Sequence, residues 1–162
     1  MICDRILGHL DDPAFASALK TCERDTIELR WQDCDRRFLR TVSRAGRTVG
    51  MLLPVGSRLR QGDVVHVDPS LIVSVVVLPA PVLVIPIESA QQSASIAYEL
   101  GGLHCPVQFT KTQIVVPAEE PLEAFLIRRA IPFVSQLRVF QPVDLPGSNV
   151  GLALDFQIST RP

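Results

Sequence analysis

The chain has 162 residues, 47% of them hydrophobic and 20% charged, with a formal net charge of −1. That length fits one or two small domains, each able to bury a core. The near-neutral balance, with no basic run interleaved with aromatics, excludes a field that would grip nucleic acid or an anionic membrane.

Chain order starts at Met1–Arg5, which lacks a basic segment followed by an apolar one, so no signal peptide is expected. Cys3, Cys22, Cys34 and Cys105 form no Cys-x-x-Cys pair. Without an export signal they read as reduced thiols in a cytoplasmic protein. Residues 26–31 alternate, with Ile27, Leu29 and Trp31 on one face, and predict a strand. Residues 37–42 and 48–53 predict two more around a turn at Ala45-Gly46, the second ended by Pro54. Residues 55–63 read as a loop, and 64–67 and 71–78 as short strands around Asp68-Pro69-Ser70. The apolar stretch 71–87 is broken by Ser74, Pro79, Pro81 and Pro86, so it is no membrane span. These strands imply a small β-domain of two short sheets or a partly closed barrel.

Pro79 and Pro81 mark the expected domain junction, an extended connection crossed by few contacts. Residues 82–87 then read as a strand. Ser89 caps a predicted helix that runs to about Leu100 and is stopped by Gly101-Gly102. Residues 105–109 and 113–116 predict two strands. A second helix starts near Glu119, with Glu119, Glu120, Glu123 and Pro121 at its start and Arg128-Arg129 at its end, all complementing the helix dipole. Residues 132–141 supply a last strand. The expected fold class is therefore α+β: a β-rich domain over 1–79, expected to bind a peptide or partner, a ferredoxin-like βαββαβ domain over 80–143, expected to bind metal and dimerise, and a tail over 144–162. The tail has turn residues at 146–149 and an apolar patch at 150–156.

Candidate chemistry centres on His104. Imidazole suits nickel, copper and zinc. His104 follows a predicted helix C-terminus, whose unpaired carbonyls favour a cation by about 0.3–1 kcal/mol. One imidazole cannot close a coordination sphere, but a two-fold dimer repeats each residue across its axis. The bland alternative is a loop histidine bonded to nearby backbone. Cys105 is either a soft second ligand or a small core residue, and alternation on a strand favours the core. His9 reads as a surface histidine and His66 as part of a solvated strand face. Asp33, Cys34 and Asp35 read as a loop. Arg36, Arg37, Arg40, Arg44 and Arg47 form a basic stripe, either a solvated hairpin face or a contact for an acidic partner. An enzyme reading would pair Cys105 with His104, but adjacency on a strand disfavours that geometry. No Gly-x-Ser-x-Gly, His-Glu-x-x-His or phosphate-binding glycine loop is present.

Tyr98-Glu99-Leu100-Gly101-Gly102-Leu103-His104-Cys105-Pro106-Val107-Gln108 resembles the helix-end motif of the UreE family of urease accessory metallochaperones, commonly Tyr-x-Leu-Gly-Asn-Arg-His-x-Pro-hydrophobic-Gln. Gly101, His104, Pro106 and Gln108 match. Gly102 and Leu103 stand where the family usually has Asn and Arg. Residues 37–54, a basic strand turning at glycine, and Leu59-Arg-Gln-Gly-Asp-Val-Val65 are similar to the family's N-terminal hairpin and the turn after it. The order of a β-domain before a ferredoxin-like domain is similar too, so the resemblance covers 1 to about 141.

The resemblance implies a non-catalytic nickel carrier. It implies a homodimer formed by the C-terminal domains, with His104 of two subunits holding Ni²⁺, and Zn²⁺ or Cu²⁺ able to take the same ligands. It implies docking on the urease maturation GTPase (UreG) and transfer towards apo-urease. Family members often carry further histidines before the second helix or in the tail, whereas this chain has three in all. A low metal stoichiometry is expected. The alternative is an interaction module of the same fold that has lost or weakened metal binding.

Overall fold

The computed structural model describes residues 1–143, so the expected tail, with its turn at 146–149 and apolar patch at 150–156, lies outside the described residues. In chain order the elements are β1 (Ile2–Cys3), β2 (Gly8–His9), α1 (Ala18–Thr21), β3 (Glu23–Leu29), β4 (Phe38–Val42), β5 (Thr48–Leu52), β6 (Asp63–Val67), β7 (Leu71–Val77) and β8 (Ala80–Pro86). They continue with α2 (Ala90–Gly102), β9 (Gln108–Phe109), β10 (Gln113–Pro117), α3 (Glu120–Arg128) and β11 (Val134–Arg138). The fold is mixed α+β, with three sheets ordered β1-β5-β4, β2-β6-β7-β3 and β11-β8-β10-β9.

The first two sheets bury one shared core. Strand alternation sends Ile27 and Leu29 of β3, Val49 and Met51 of β5, and Val73, Val75 and Val77 of β7 into it. β7 is apolar at almost every position because its other face is covered as well. There Ile72 packs with Val64 and Phe15, under Leu10, Ala18 and Leu19. A strand buried on both faces loses the polar half of its alternation.

A buried carboxylate ties the β4–β5 hairpin to β3. Asp25 accepts hydrogen bonds from Ser43 Oγ at 2.6 Å, Arg47 Nη1 at 2.8 Å, and the backbone N–H groups of Thr26 at 2.8 Å and Ala45 at 3.1 Å. Burial pushes its pKa up, but these donors outweigh burial and hold it at about 2. Arg47 also grips Glu23 with its other amino group, at 2.8 Å. The expected basic stripe is thus divided. Arg47 turns inward to Asp25, and Arg36 pairs with Asp33 at 3.0 Å.

In the third sheet every neighbouring pair of strands is antiparallel. One face, through Leu83, Ile85, Ile114 and Val116, meets α2 and α3 at Ile96, Leu100, Leu122, Phe125 and Leu126. The other face, through Val82, Val84 and Val115, holds the fully buried Phe140, with Trp31 against it. The Trp31 and Phe140 rings meet edge to face, centroids 5.1 Å apart at 87°.

Several expectations need correcting. β3 ends at Leu29, and Trp31 lies in a 3₁₀ turn, Trp31–Asp33. Its ring still packs on the core of Ile27 and Leu29, and also meets Phe140. Only Leu78 and Pro79 lie between β7 and β8, where the domain junction is expected. β8 starts at Ala80 with Pro81 inside it, opposite Leu137. Contacts also cross between the halves: Trp31 with Phe140, Val139 against the first core, and Gln61 N–H donating to Gln141 Oε1 at 2.8 Å. The strand expected at 105–109 is only Gln108–Phe109, and the last strand is Val134–Arg138.

Candidate metal centre

The site is built by the end of α2. Ser89 starts this helix, its hydroxyl accepting from Gln92 N–H at 3.1 Å. Ile96 and Leu100 face the core, one turn apart. The helix does not stop at the glycines. Gly101 and Gly102 lie in its last turn, with open space where side chains would be.

The stop is made by His104, whose φ of 53° is left-handed. His104 N–H donates to Gly101 C=O at 3.0 Å, and Cys105 N–H reaches back to Leu100 C=O at 3.2 Å. This pair of bonds is the Schellman ending, whose left-handed position is usually glycine. A side chain there costs about 1 kcal/mol. His104 accepts that cost and remains exposed. Its ring has no hydrogen-bond partner among the described residues. Leu103 beside it and Tyr98 on the same helix are exposed too, Tyr98 at 84%.

Cys105 takes the next position of the same motif, where a hydrophobic contact back onto the helix is common. It packs against the helix–sheet core. Burial, and secondarily the charge of Glu119, pushes its pKa from 9.0 to about 11. Its Sγ donates to Pro106 C=O at 3.3 Å. Burial thus disfavours the thiolate in the metal-free chain. The core expectation for Cys105 therefore stands on a different cause. It belongs to a helix ending and not to a strand.

The other histidines are engaged. His9 has Nε2 3.0 Å from Gln61 C=O, while Nδ1 accepts from Asp11 N–H at 3.1 Å. Its ring covers Gly62 so closely that a Cβ there would collide with it, and Gly62 has a φ of 84°. His66 Nε2 lies 3.1 Å from Asp68 Oδ2, so His66 is paired and not simply solvated. Asp33 holds Arg30 and Arg36, and Cys34 is a buried core thiol with its pKa pushed up to about 11, chiefly by burial. Among the described residues no three His, Cys, Asp or Glu side chains converge as a ligand set. No helix there is long and apolar enough to cross a membrane.

Sequence reasoning located His104 but missed its backbone. The Gly101-Gly102 pair is the stronger local stop signal. The visible clue was the buried register of Leu100 with Cys105, the hydrophobic contact that accompanies this ending.

An exposed imidazole at a helix end is chemically able to meet a metal ion, as a binding protein would require. The model of the UreE urease accessory protein N-terminal domain matches residues 3–78, and that of the C-terminal domain matches 80–151. The urease accessory protein UreE of Actinobacillus pleuropneumoniae is 32% identical over 126 residues, 77% of this chain and 67% of that protein. That of Bacillus sp. (strain TB-90) is 30% identical over 147 residues, 88% and 97% of the two chains. That of Geobacillus kaustophilus is 31% identical over 138 residues, 85% and 90%. The chain belongs to the UreE family of urease accessory proteins. That family consists of accessory metallochaperones and not enzymes, and membership implies a role in urease maturation that involves a metal.

Proposed function

We propose that this protein carries Ni²⁺ as cargo, held between the His104 side chains of two subunits, and releases it towards apo-urease through the urease maturation GTPase (UreG). The observation that carries the reading is the left-handed His104. Glycine would close the same turn without strain, so an imidazole retained there, exposed and unpartnered among the described residues, fits a ligand role. The helix end adds partial negative charge from its last carbonyls.

One imidazole per chain fits only a shared site, since no further ligand converges on it among the described residues. A homodimer through residues 80–143, a ferredoxin-like domain in this reading, supplies the second. The antiparallel order β11-β8-β10-β9 and the exposed Tyr98 and Leu103 near the helix end support that arrangement. Residues 1–79 form the other domain and 144–162 the tail, and the protein works in the cytoplasm. Two imidazoles completed by water hold metal loosely, which suits a donor. Zn²⁺ or Cu²⁺ would take the same ligands, because affinity order does not select nickel.

The test is calorimetric titration of the dimer with Ni²⁺. One ion per two chains is expected, lost in His104→Ala. Unchanged uptake by that variant would sink the proposal, and a wild-type chain that takes up no metal would leave an interaction module in its place.

A further inference from the structure

Beyond the His104 turn the chain has little strand to hold it. β9 is two residues long and pairs only with β10. The corresponding turn at Ala130 leads instead into β11, whose five residues are all paired with β8. A left-handed residue other than glycine keeps its conformation only where the surrounding structure fixes it. At His104 that hold has to come from something other than a long strand.

It comes from a run of amides across the seam between the halves. Gln108 Oε1 accepts from Gln141 N–H at 2.9 Å, and Val107 C=O accepts from Val143 N–H at 2.8 Å. Gln141 is tied in turn to the first half, its Oε1 accepting from Gln61 N–H at 2.8 Å. Gln61 is gripped from two sides. Its Oε1 accepts from Val77 N–H at 2.8 Å, at the end of β7, and its C=O lies 3.0 Å from His9 Nε2. Phe140, next to Gln141, is fully buried beside Val82, Val84 and Val115, with Trp31 against it, so this anchor cannot follow a moving loop. Pro106 stiffens the short path from Gln108 back to His104, because it fixes its own φ and restricts the residue before it.

We propose that this clasp fixes the His104 turn, which makes Gln108, Gln141 and Gln61 positioning residues for the imidazole; their bearing on metal rests on the reading given above. None of the three touches the ion. They act through the backbone of residues 105–108. A shared site needs two rings aimed at one ion, so orientation lost at the turn is affinity lost at the site. The first half of the chain thereby helps to set the metal affinity of the second.

The experiment compares Gln141→Ala with Gln141→Glu in the full-length protein, by amide hydrogen exchange without metal and by nickel titration calorimetry. In Gln141→Ala the Cys105 N–H, which closes the turn on Leu100, should exchange about tenfold faster, while the Ile131 N–H at the end of α3 keeps its wild-type rate. Nickel affinity should fall about threefold to tenfold at unchanged stoichiometry. A glutamate keeps the acceptor for Gln61 N–H, so Gln141→Glu should restore both values. Gln61→Ala, in the other half, should reproduce the loss. Unchanged exchange at Cys105 in Gln141→Ala, equal acceleration at Cys105 and Ile131, or a glutamate variant that fails to restore the rate would each overturn the proposal. A wild-type chain that shows these exchange rates but takes up no nickel would count only against the metal reading.

Discussion

The two helices of the second half end in the same backbone device and use it differently. α3 closes with Ala130 at a φ of 53°, donating to Ile127 C=O at 3.0 Å, while Ile131 N–H reaches Leu126 C=O at 2.9 Å. α2 closes with His104 at the same φ, donating to Gly101, with Cys105 reaching Leu100. Leu126 and Leu100 are both fully buried, and Ile131 and Cys105 both pack back onto the core. Both turns carry a side chain where glycine is easiest. At Ala130 the side chain is a methyl group. At His104 it is a metal-competent ring. Left-handed strain alone therefore does not mark a site in this protein; the proposed reading of His104 rests on the exposed imidazole as well.

The largest effects should come from the buried anchors. Leu100→Ala and Leu126→Ala should each cost about 2–5 kcal/mol by chemical denaturation, because each opens a cavity under its turn. Only Leu100→Ala should also weaken nickel binding. Equal nickel affinity in the two variants would break the distinction between the ends.

Next in size, His104→Ala and His104→Gly should both abolish stoichiometric nickel uptake, as titration calorimetry would show. The same His104→Gly variant should be more stable than wild type by about 0.5–1 kcal/mol, and Ala130→Gly should gain as much. A loss of stability in both would mean that neither turn holds strain.

The smallest change is Cys105→Val. Nickel stoichiometry should be unaffected. Because the folded thiol has its pKa raised from 9.0 to about 11, its contribution is fully present below pH 9 and is lost as pH rises towards 11. Wild-type stability should therefore fall relative to the variant across that window, and parallel pH profiles would contradict the burial.

Particular residues show what was legible in the sequence. His104 was visible because its neighbours keep a spacing similar to a known family. Its conformation was hidden, because two glycines compete for the same role and local propensity favours them. β4 and β5 were readable from alternation and a glycine turn. β1 and β2 were not, since each has two residues and exists only by pairing with β5 and β6. Trp31 alternates correctly with Leu29, yet a 3₁₀ turn and a distant ring decide its place. Asp25 reads as an ordinary strand carboxylate. Its burial depends on Ser43 and Arg47, which lie on another sheet's hairpin and leave no local signal.

The edge-to-face contact of Trp31 with Phe140 has a practical corollary. Trp31 is the chain's only tryptophan, so all of the indole emission originates at the seam between the halves. It borders a groove of about 450 Å³ shared by Arg58, Leu59, Phe109 and Pro142. Intrinsic fluorescence is thus a built-in gauge of any shift of the two halves against each other, with no label attached.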